Sequence, residues 1–251
     1  YTKIWAMVET PVAMLHAETA EAMGKEGGNR KPIFGITNGV HRGTCVDPRI
    51  DKAAGDADKL WTLHQSLKAD LLAFIKARTG VELRHDRLLI GFARRAAPYK
   101  RSNLIFQGNK KLLKALESGK IQIVFSGKSH PQGDPGKRGI EEIYGYSRKM
   151  KDSVAFLEDY DMDIGARLTR GCDVWLNNPR RPLEACGTSG MKAAMNGVLN
   201  LSILDGWWPE ACQHGINGWA IGDDQVPESV EEQDQRDARF LCKALLEEGI
   251  P

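Results

Sequence analysis

The chain has 251 residues, enough for one large domain or for one domain with part of another. With 41% apolar and 27% charged residues it has an ordinary globular composition, and a formal net charge of +2 gives no indication of a nucleic-acid or membrane partner. No apolar run approaches the roughly 20 residues that span a bilayer, and we expect no signal peptide. The cysteines show no disulfide or zinc spacing, which favours reduced thiols in the cytoplasm: Cys45, Cys172, Cys186, Cys212 and Cys242.

Helical and loop patterns fill the first 80 residues. Residues 1–30 predict a helix that ends at Gly27-Gly28, and residues 31–55 predict a loop region punctuated by Gly and Pro. Between residues 58 and 78, leucine and isoleucine recur at helical spacing, and Thr79-Gly80 closes that helix.

From residue 88 onward, short apolar runs alternate with helical patterns. The predicted strands are 88–93, 121–125, 154–157, 174–176 and 198–204, and the predicted helices are 101–118, 134–151, 163–169 and 190–195. This alternation is typical of an α/β domain around a mainly parallel, doubly wound sheet. Because such sheets bind ligands in the loops at the carboxyl ends of the strands, we expect the side chains after each strand to meet on one rim. Residues 223–237 are polar and acidic, which predicts a solvated segment.

The segment Glu184–Lys192 reads Glu-Ala-Cys-Gly-Thr-Ser-Gly-Met-Lys and leads into a predicted helix. Its glycines let the backbone approach a ligand, while Thr188 and Ser189 place hydroxyl groups beside the N–H groups of a helix start, which suits a phosphate. With Lys192 close behind, the pattern fits a nucleotide site or a pyridoxal phosphate site. It is not a Walker loop, because Met191 rather than Gly precedes the lysine. A glycine-rich turn with an exposed lysine is the alternative.

A cluster of cations follows the first predicted strand: Arg94, Arg95, Lys100 and Arg101. Cations at the end of a buried strand repel one another unless an anion compensates them, and two phosphate groups, one on a cofactor and one as substrate, would do so. A solvated basic loop is the alternative.

The later strand ends also carry polar or aromatic side chains. An acidic turn with a tyrosine, Glu158–Asp161, follows the third strand, and Asn177–Pro182 follows the fourth. These segments suit a ligand, or simply form turns. Two tryptophans in Asp205–Trp208 suit either a sugar face or the core.

Gly187–Lys192, preceded by Glu184 and followed by Asn196-Gly197, resembles the pyridoxal phosphate lysine motif of the α-glucan phosphorylases. Other blocks match in the same order along nearly the whole chain: Thr37-Asn-Gly39 resembles the sugar-contacting loop, Arg94-Arg95 with Tyr99-Lys100 the anion-binding strand end, and Glu158-Asp-Tyr160 the tyrosine segment. Two positions depart from many members, which have Gly-Asn in place of Ser189-Gly190 and Lys in place of Arg94.

The resemblance implies a fold like the C-terminal domain of a two-domain glycosyltransferase of the GT-B type. Residues 1–85 would be the remnant of an N-terminal domain with a helical connection, and residues 86–251 a truncated cofactor-binding domain. The implied reaction is phosphorolysis of α-1,4-glucan by inorganic phosphate to glucose 1-phosphate, with pyridoxal phosphate as cofactor. The implied catalytic residues are Lys192, Arg95 and Lys100. The implied cofactor-binding residues are Lys192, Arg94, Tyr160, Gly187, Thr188 and Ser189, and the implied substrate-binding residues are Glu184, Asn38, Arg95 and Lys100.

Members of that family are several hundred residues longer, so the chain resembles an incomplete C-terminal part of an enzyme that could form a homo-oligomer. Two alternatives stay open. One is a nucleotide-sugar glycosyltransferase of similar fold, and the other is a cofactor- or sugar-binding domain without catalytic activity.

Overall fold

A computed structural model describes residues 8–26, 32–107 and 110–248. Its centre is a sheet of six strands: β1 Leu88–Ala93, β2 Ile121–Ser126, β3 Val154–Leu157, β4 Val174–Asn177, β5 Leu199–Ile203 and β6 Gly218–Ile221. The strand order is β3-β2-β1-β4-β5-β6, and every neighbouring pair is parallel. The chain winds outward in both directions from β1, so the crevice for a ligand lies between the carboxyl ends of β1 and β4.

Ten α-helices lie within the described residues: α1 Met14–Glu26, α2 Arg42–Cys45, α3 Pro48–Ala53, α4 Ala57–Thr79, α5 Lys110–Glu117, α6 Asp134–Lys149, α7 Met162–Gly171, α8 Thr188–Met195, α9 Trp208–Ala211 and α10 Val230–Glu247. Two single 3-10 turns, Pro98–Lys100 and Leu104–Phe106, follow β1. Among the helices described, none combines the length and the apolar character needed to cross a bilayer.

Helices cover both faces of the sheet, which explains why the strands are apolar nearly throughout. Side chains from α5, α6 and α10 pack on one face around Phe92 and Phe125. On the other face α4, α7 and α8 surround the fully buried Trp175. The long helix α4 is delimited by its caps: Asp56 accepts from the N–H of Lys59, and Gly80 adopts a left-handed conformation with φ 72°.

The fold class predicted from the sequence is confirmed, and the five predicted strands are present with ends shifted by at most two residues. The predicted helix 101–118 is wrong. In its place the chain makes the turn Leu104–Phe106 and only then α5, with residues 108–109 outside the described part. Leu104, Ile105 and Phe106 are all buried, so this segment fills the core as a compact turn.

Three further predictions are corrected at the ends of the chain. The helix predicted for residues 1–30 begins only at Met14, and residues 1–7 and 27–31 lie outside the described part. The loop region 31–55 contains α2 and α3. The segment 223–237 is solvated only in part, because α10 begins at Val230 and buries Gln233 and Asp237 against the domain.

The segment before α2 contacts the loops at the carboxyl edge of the sheet. Glu210 in α9 accepts from the N–H of Met14 at 2.9 Å and from the Thr37 hydroxyl at 2.6 Å. This contact sets the position of the neighbouring Asn38. The domain boundary near residue 85 stays a prediction.

Candidate functional site

Two cations and one carboxylate meet at the switch point of the sheet. Arg94, directly after β1, lies 2.9 Å from Oε1 of Glu184, and Lys100 donates to Oε2 of the same carboxylate. A second guanidinium nitrogen of Arg94 donates to the side chain of Asn177 at the end of β4. The three charged side chains are 5–7% exposed, so these are buried ion pairs.

Burial lowers the pKa values of Arg94 and Lys100, and repulsion between the cations adds to the lowering at Lys100. Desolvation lowers the pKa of Arg94, and the charge of Glu184 opposes that shift. The pKa of Lys100 is lowered to about 8 by burial and by the nearby Arg94, although Glu184 acts to raise it. Arg95 contributes to the same lowering but is itself exposed. The cluster therefore combines one accessible cation with two buried ones.

Carboxylates of the protein itself compensate three of these cations, a pairing that the sequence does not predict. Glu184 compensates Arg94 and Lys100. Arg101, only 2% exposed, lies 2.9 Å from Asp234 and 2.7 Å from Asp237, both in α10. Arg94, Lys100 and Arg101 are close in sequence, but their carboxylate partners are 84 or more residues away along the chain.

Arg101 also ties two strand-end loops together. Its guanidinium donates to the backbone carbonyls of Asn178 and Pro179 at 2.9 and 2.7 Å. Arg180 lies 2.5 Å from the same Asp234. Helix α10 thereby holds the loop that carries Lys100 against the loop that follows β4.

The segment Gly187–Lys192 forms the N-terminal turn of α8. Gly187 has φ 85°, a conformation that favours glycine, and Glu184 Oε1 lies 3.4 Å from where its Cβ would be. A Cβ on Gly190 would lie 2.7 Å from Asn200 Oδ1, so only glycine fits between the helix and β5. Trp175 of β4 donates to the Ser189 hydroxyl at 3.3 Å, which fixes the start of the helix on the sheet.

This turn has the properties that a phosphate-bearing cofactor needs. The cap residue, Gly187, has no side chain that could occupy the helix start, and within the described residues the N–H groups of Thr188 and Ser189 have no backbone acceptor. Lys192 is half-exposed, and its amine makes no ion pair with any described residue. A helix start with available N–H groups, small side chains and an available amine fits pyridoxal phosphate.

The two remaining predicted site residues lie at the periphery. Hydrogen bonds with Asn38 partly offset the rise that burial causes in the pKa of the Cys186 thiol, which places Asn38 beside the loop before Gly187. Tyr160 packs over α7, with its hydroxyl oxygen 2.6 Å from the position of a Cβ on Gly165. Burial, and then the charge of Asp161, raise the pKa of the Tyr160 phenol.

Sequence reasoning missed two residues that hold the cluster in place. Asn177 orients Arg94, and the carboxylate of Asp205 accepts from the backbone N–H groups of Glu184 and Gly206 at 3.0 and 2.8 Å. Asp205 was noted only for the tryptophans beside it, of which Trp208 is buried in the core. The available signal was its position directly after a buried strand, as for the other loops.

A second polar cluster lies at the opposite, amino edge of the sheet. Asp173 accepts from Lys68 at 2.6 Å and from His64 at 2.9 Å. All three residues line a cavity of about 530 Å³, whose walls combine polar side chains with apolar ones such as Leu60 and Trp61. No sequence pattern indicates this pairing, because Asp173 lies 109 residues after His64 and 105 after Lys68. The cavity is separated by the length of the strands from the cations and the glycine-rich turn.

A doubly wound parallel domain, with a buried ion-paired cluster and a glycine-rich helix start at its switch point, has the architecture of the C-terminal domain of GT-B glycosyltransferases. Residues 49–214 match the family model described as carbohydrate phosphorylase. The chain belongs to the carbohydrate phosphorylase family.

Curated relatives agree with this assignment. The chain is 37% identical to maltodextrin phosphorylase of Thermococcus litoralis, over 96% of this chain and 34% of the relative. It is 39% identical to glycogen phosphorylase of Aquifex aeolicus, over 88% of this chain and 38% of the relative. With glycogen phosphorylase of Mycobacterium tuberculosis the identity is 36%, over 90% and 31%. The chain thus spans about a third of the length of these relatives.

Proposed function

We propose that this chain is the cofactor-binding part of an α-glucan phosphorylase, which cleaves α-1,4-glucan with inorganic phosphate and releases glucose 1-phosphate. The observation that carries the proposal is the buried Arg94–Glu184–Lys100 cluster, which adjoins the helix start at Gly187 in a chain of the carbohydrate phosphorylase family. The relatives are named for glycogen and maltodextrin, which are both α-glucans.

Pyridoxal phosphate is the cofactor in this proposal, and its phosphate group would exchange a proton with the substrate phosphate. Lys192 would hold it through the ε-amine, one helical turn after Thr188. Thr188, Ser189 and the backbone at Gly187 would bind its phosphate together with Arg94. Tyr160 would border that site. The unpartnered N–H groups at the start of α8 support this arrangement.

Arg95 and Lys100 would bind the substrate phosphate. Two phosphate groups in one cleft repel each other, and the positive charges of Arg94, Arg95 and Lys100 would offset that repulsion. Arg95 is exposed and therefore available to an incoming anion, whereas Lys100 is buried with a pKa of about 8 and is mainly charged at neutral pH. Glu184 and Asn38 would bind glucosyl hydroxyl groups beside them.

The same proposal covers the organisation of the chain. Residues 1–85 would be the last part of an N-terminal domain with its connection, and residues 86–251 the C-terminal domain. The complete enzyme could form a homo-oligomer. A cytoplasmic location is supported by the five cysteines, all of which are free thiols.

The alternatives are a nucleotide-sugar glycosyltransferase and a binding domain without catalytic activity. Calorimetric titration of the chain with pyridoxal phosphate and, separately, with UDP-glucose and ADP-glucose distinguishes the two enzyme classes. We expect binding of pyridoxal phosphate that is lost in Lys192→Ala. Binding of a nucleotide sugar, without binding of pyridoxal phosphate, would favour the glycosyltransferase. An assay of phosphorolysis by the longer enzyme that contains this chain tests the second alternative. Activity supports the proposal, and its absence favours a binding domain without catalytic activity.

A further inference from the structure

Both oxygens of the Glu184 carboxylate are engaged by cations that the proposed function assigns to phosphate. Oε1 pairs with Arg94 and Oε2 with Lys100, and all three side chains are more than nine-tenths buried. The backbone N–H of Glu184 is held separately by Asp205. The carboxylate is therefore the resident anion of the cation pair, on a backbone that is fixed by a different contact.

A tetrahedral oxyanion and a carboxylate need the same donors. Each accepts charge-assisted hydrogen bonds from guanidinium and ammonium groups, and an N–H cannot serve both fully at once. Arg94 already commits one nitrogen to Asn177. An oxyanion that binds between Arg94 and Lys100 consequently competes with the Glu184 carboxylate for the donors that are directed at this carboxylate.

Room for the carboxylate to move exists on one side. Gly187 faces Glu184. A Cβ at Gly187 would lie 3.4 Å from Oε1 of Glu184, which is an ordinary van der Waals contact. The absence of a side chain at Gly187 leaves this space open. The Asp205 carboxylate repels that of Glu184, since the charge of Glu184 contributes to the raised pKa of Asp205.

We propose that Glu184 is an exchangeable counter-anion, which an incoming oxyanion displaces from Arg94 and Lys100 and which then becomes free to accept a hydrogen bond from a glucosyl hydroxyl. This inference rests on the proposed function and adds a coupling to it. Phosphate and the glucosyl group promote each other's binding, and by thermodynamic linkage the factor is the same in both directions.

The test is calorimetric titration of the 251-residue chain with inorganic phosphate at about pH 6.5, where Lys100 with its pKa of about 8 is charged. Glu184→Gln removes the competing charge and keeps the size of the side chain. We expect its phosphate affinity to exceed that of the wild type by about tenfold or more, because two buried cations then lack their counter-anion. The matched control is Glu158→Gln, the same substitution at an exposed position on the same edge of the sheet. This variant should bind phosphate as the wild type does.

The phosphate group has two sources in the proposed reaction, the free ion and the cofactor. Repeating the titration at saturating pyridoxal phosphate separates them. If Glu184→Gln still binds phosphate more tightly than the wild type, the exchange occurs at the substrate phosphate. If the two affinities become equal only in this arm, the exchange occurs at the cofactor phosphate. Equal phosphate affinities for the wild type and Glu184→Gln in both arms, or weaker binding by the variant, would overturn the inference.

A failure of the proposed function gives a different result. In that case the wild type either does not bind phosphate or binds it with an affinity that Arg95→Ala and Lys100→Ala leave unchanged. If Glu184→Gln does not fold, the wild type carries the test through its phosphate affinity with and without maltotriose. Tighter phosphate binding in the presence of the sugar is expected, and identical affinities refute the exchange.

Discussion

The backbone N–H of Glu184 donates to Oδ2 of Asp205 at 3.0 Å, and both side chains are buried. A second N–H, that of Gly206, donates to Oδ1 of the same carboxylate. Burial nevertheless dominates and raises the pKa of Asp205 from 3.8 to about 6. The loop that presents Glu184 to the cations therefore depends on a carboxyl group that is costly to ionise.

The raised pKa of Asp205 predicts a specific dependence of stability on pH. Between about pH 4 and pH 6 the unfolded chain loses this proton before the native state does, so the contribution of Asp205 to the free energy of unfolding falls as pH rises. Two pKa units correspond to roughly 3 kcal/mol. Urea unfolding of the wild type and Asp205→Asn across this range should show the stability difference, wild type minus variant, falling with pH.

An exposed carboxylate provides the control for this measurement. Arg84 lowers the pKa of Asp86, so the stability difference between the wild type and Asp86→Asn should rise with pH through the acid range. A difference for Asp205→Asn that also rises with pH, or stays constant, would contradict the prediction.

The assignment of the cofactor lysine predicts that Lys192→Ala abolishes binding of pyridoxal phosphate. The cofactor is attached through a primary amine, and Lys192 is the only lysine in the segment Glu184–Lys192. Absorbance titration measures the binding, and borohydride reduction followed by peptide mapping should label Lys192. Lys128→Ala, an exposed lysine in the loop after β2, should bind the cofactor normally. A labelled peptide from any other part of the chain rules the assignment out.

The sequence predicted the sheet well because the strands are mainly apolar and have buried residues on both faces. Runs such as 121–125 and 154–157 leave little choice of structure. By contrast, β6 is only four residues long, and α10 opens with the polar run Glu231–Asp234, whose sequence looks solvated. Its apolar face, including Leu241 and Leu245, begins two turns later.

The candidate site was predictable as a set of loops but not as a set of contacts. Following each strand to its carboxyl end identifies Arg94, Lys100 and Glu184 as neighbours of one rim. That Glu184 pairs with both cations depends on the adjoining turn at Gly187 and on Asp205, which lies 21 residues further along the chain. Such pairings are tertiary and leave no local pattern.

The buried Arg101 network predicts a large loss of stability on truncation. Arg101→Ala would leave Asp237 and two carbonyl groups without their cationic partner inside the protein, at a cost of about 3–5 kcal/mol. Arg84→Ala breaks the exposed pair with Asp86 and should change stability far less. Urea unfolding compares the two, and an Arg101→Ala variant as stable as Arg84→Ala would show that the network contributes little.

The 251-residue chain alone should bind pyridoxal phosphate but catalyse phosphorolysis poorly. Water that reaches the site competes with phosphate, and the reaction needs a cleft that excludes it. In the described part of the chain, Arg95 is exposed, and two large apolar side chains near the strand ends, Met162 and Leu183, are 82% and 57% exposed. The relatives are about three times as long as the chain, and we expect their additional length to cover this edge of the sheet in the complete enzyme. Glucose 1-phosphate release from maltodextrin should be at least about a hundredfold below an ordinary enzyme's rate of roughly 10 per second. Turnover within tenfold of that rate would mean that the described residues suffice to exclude water.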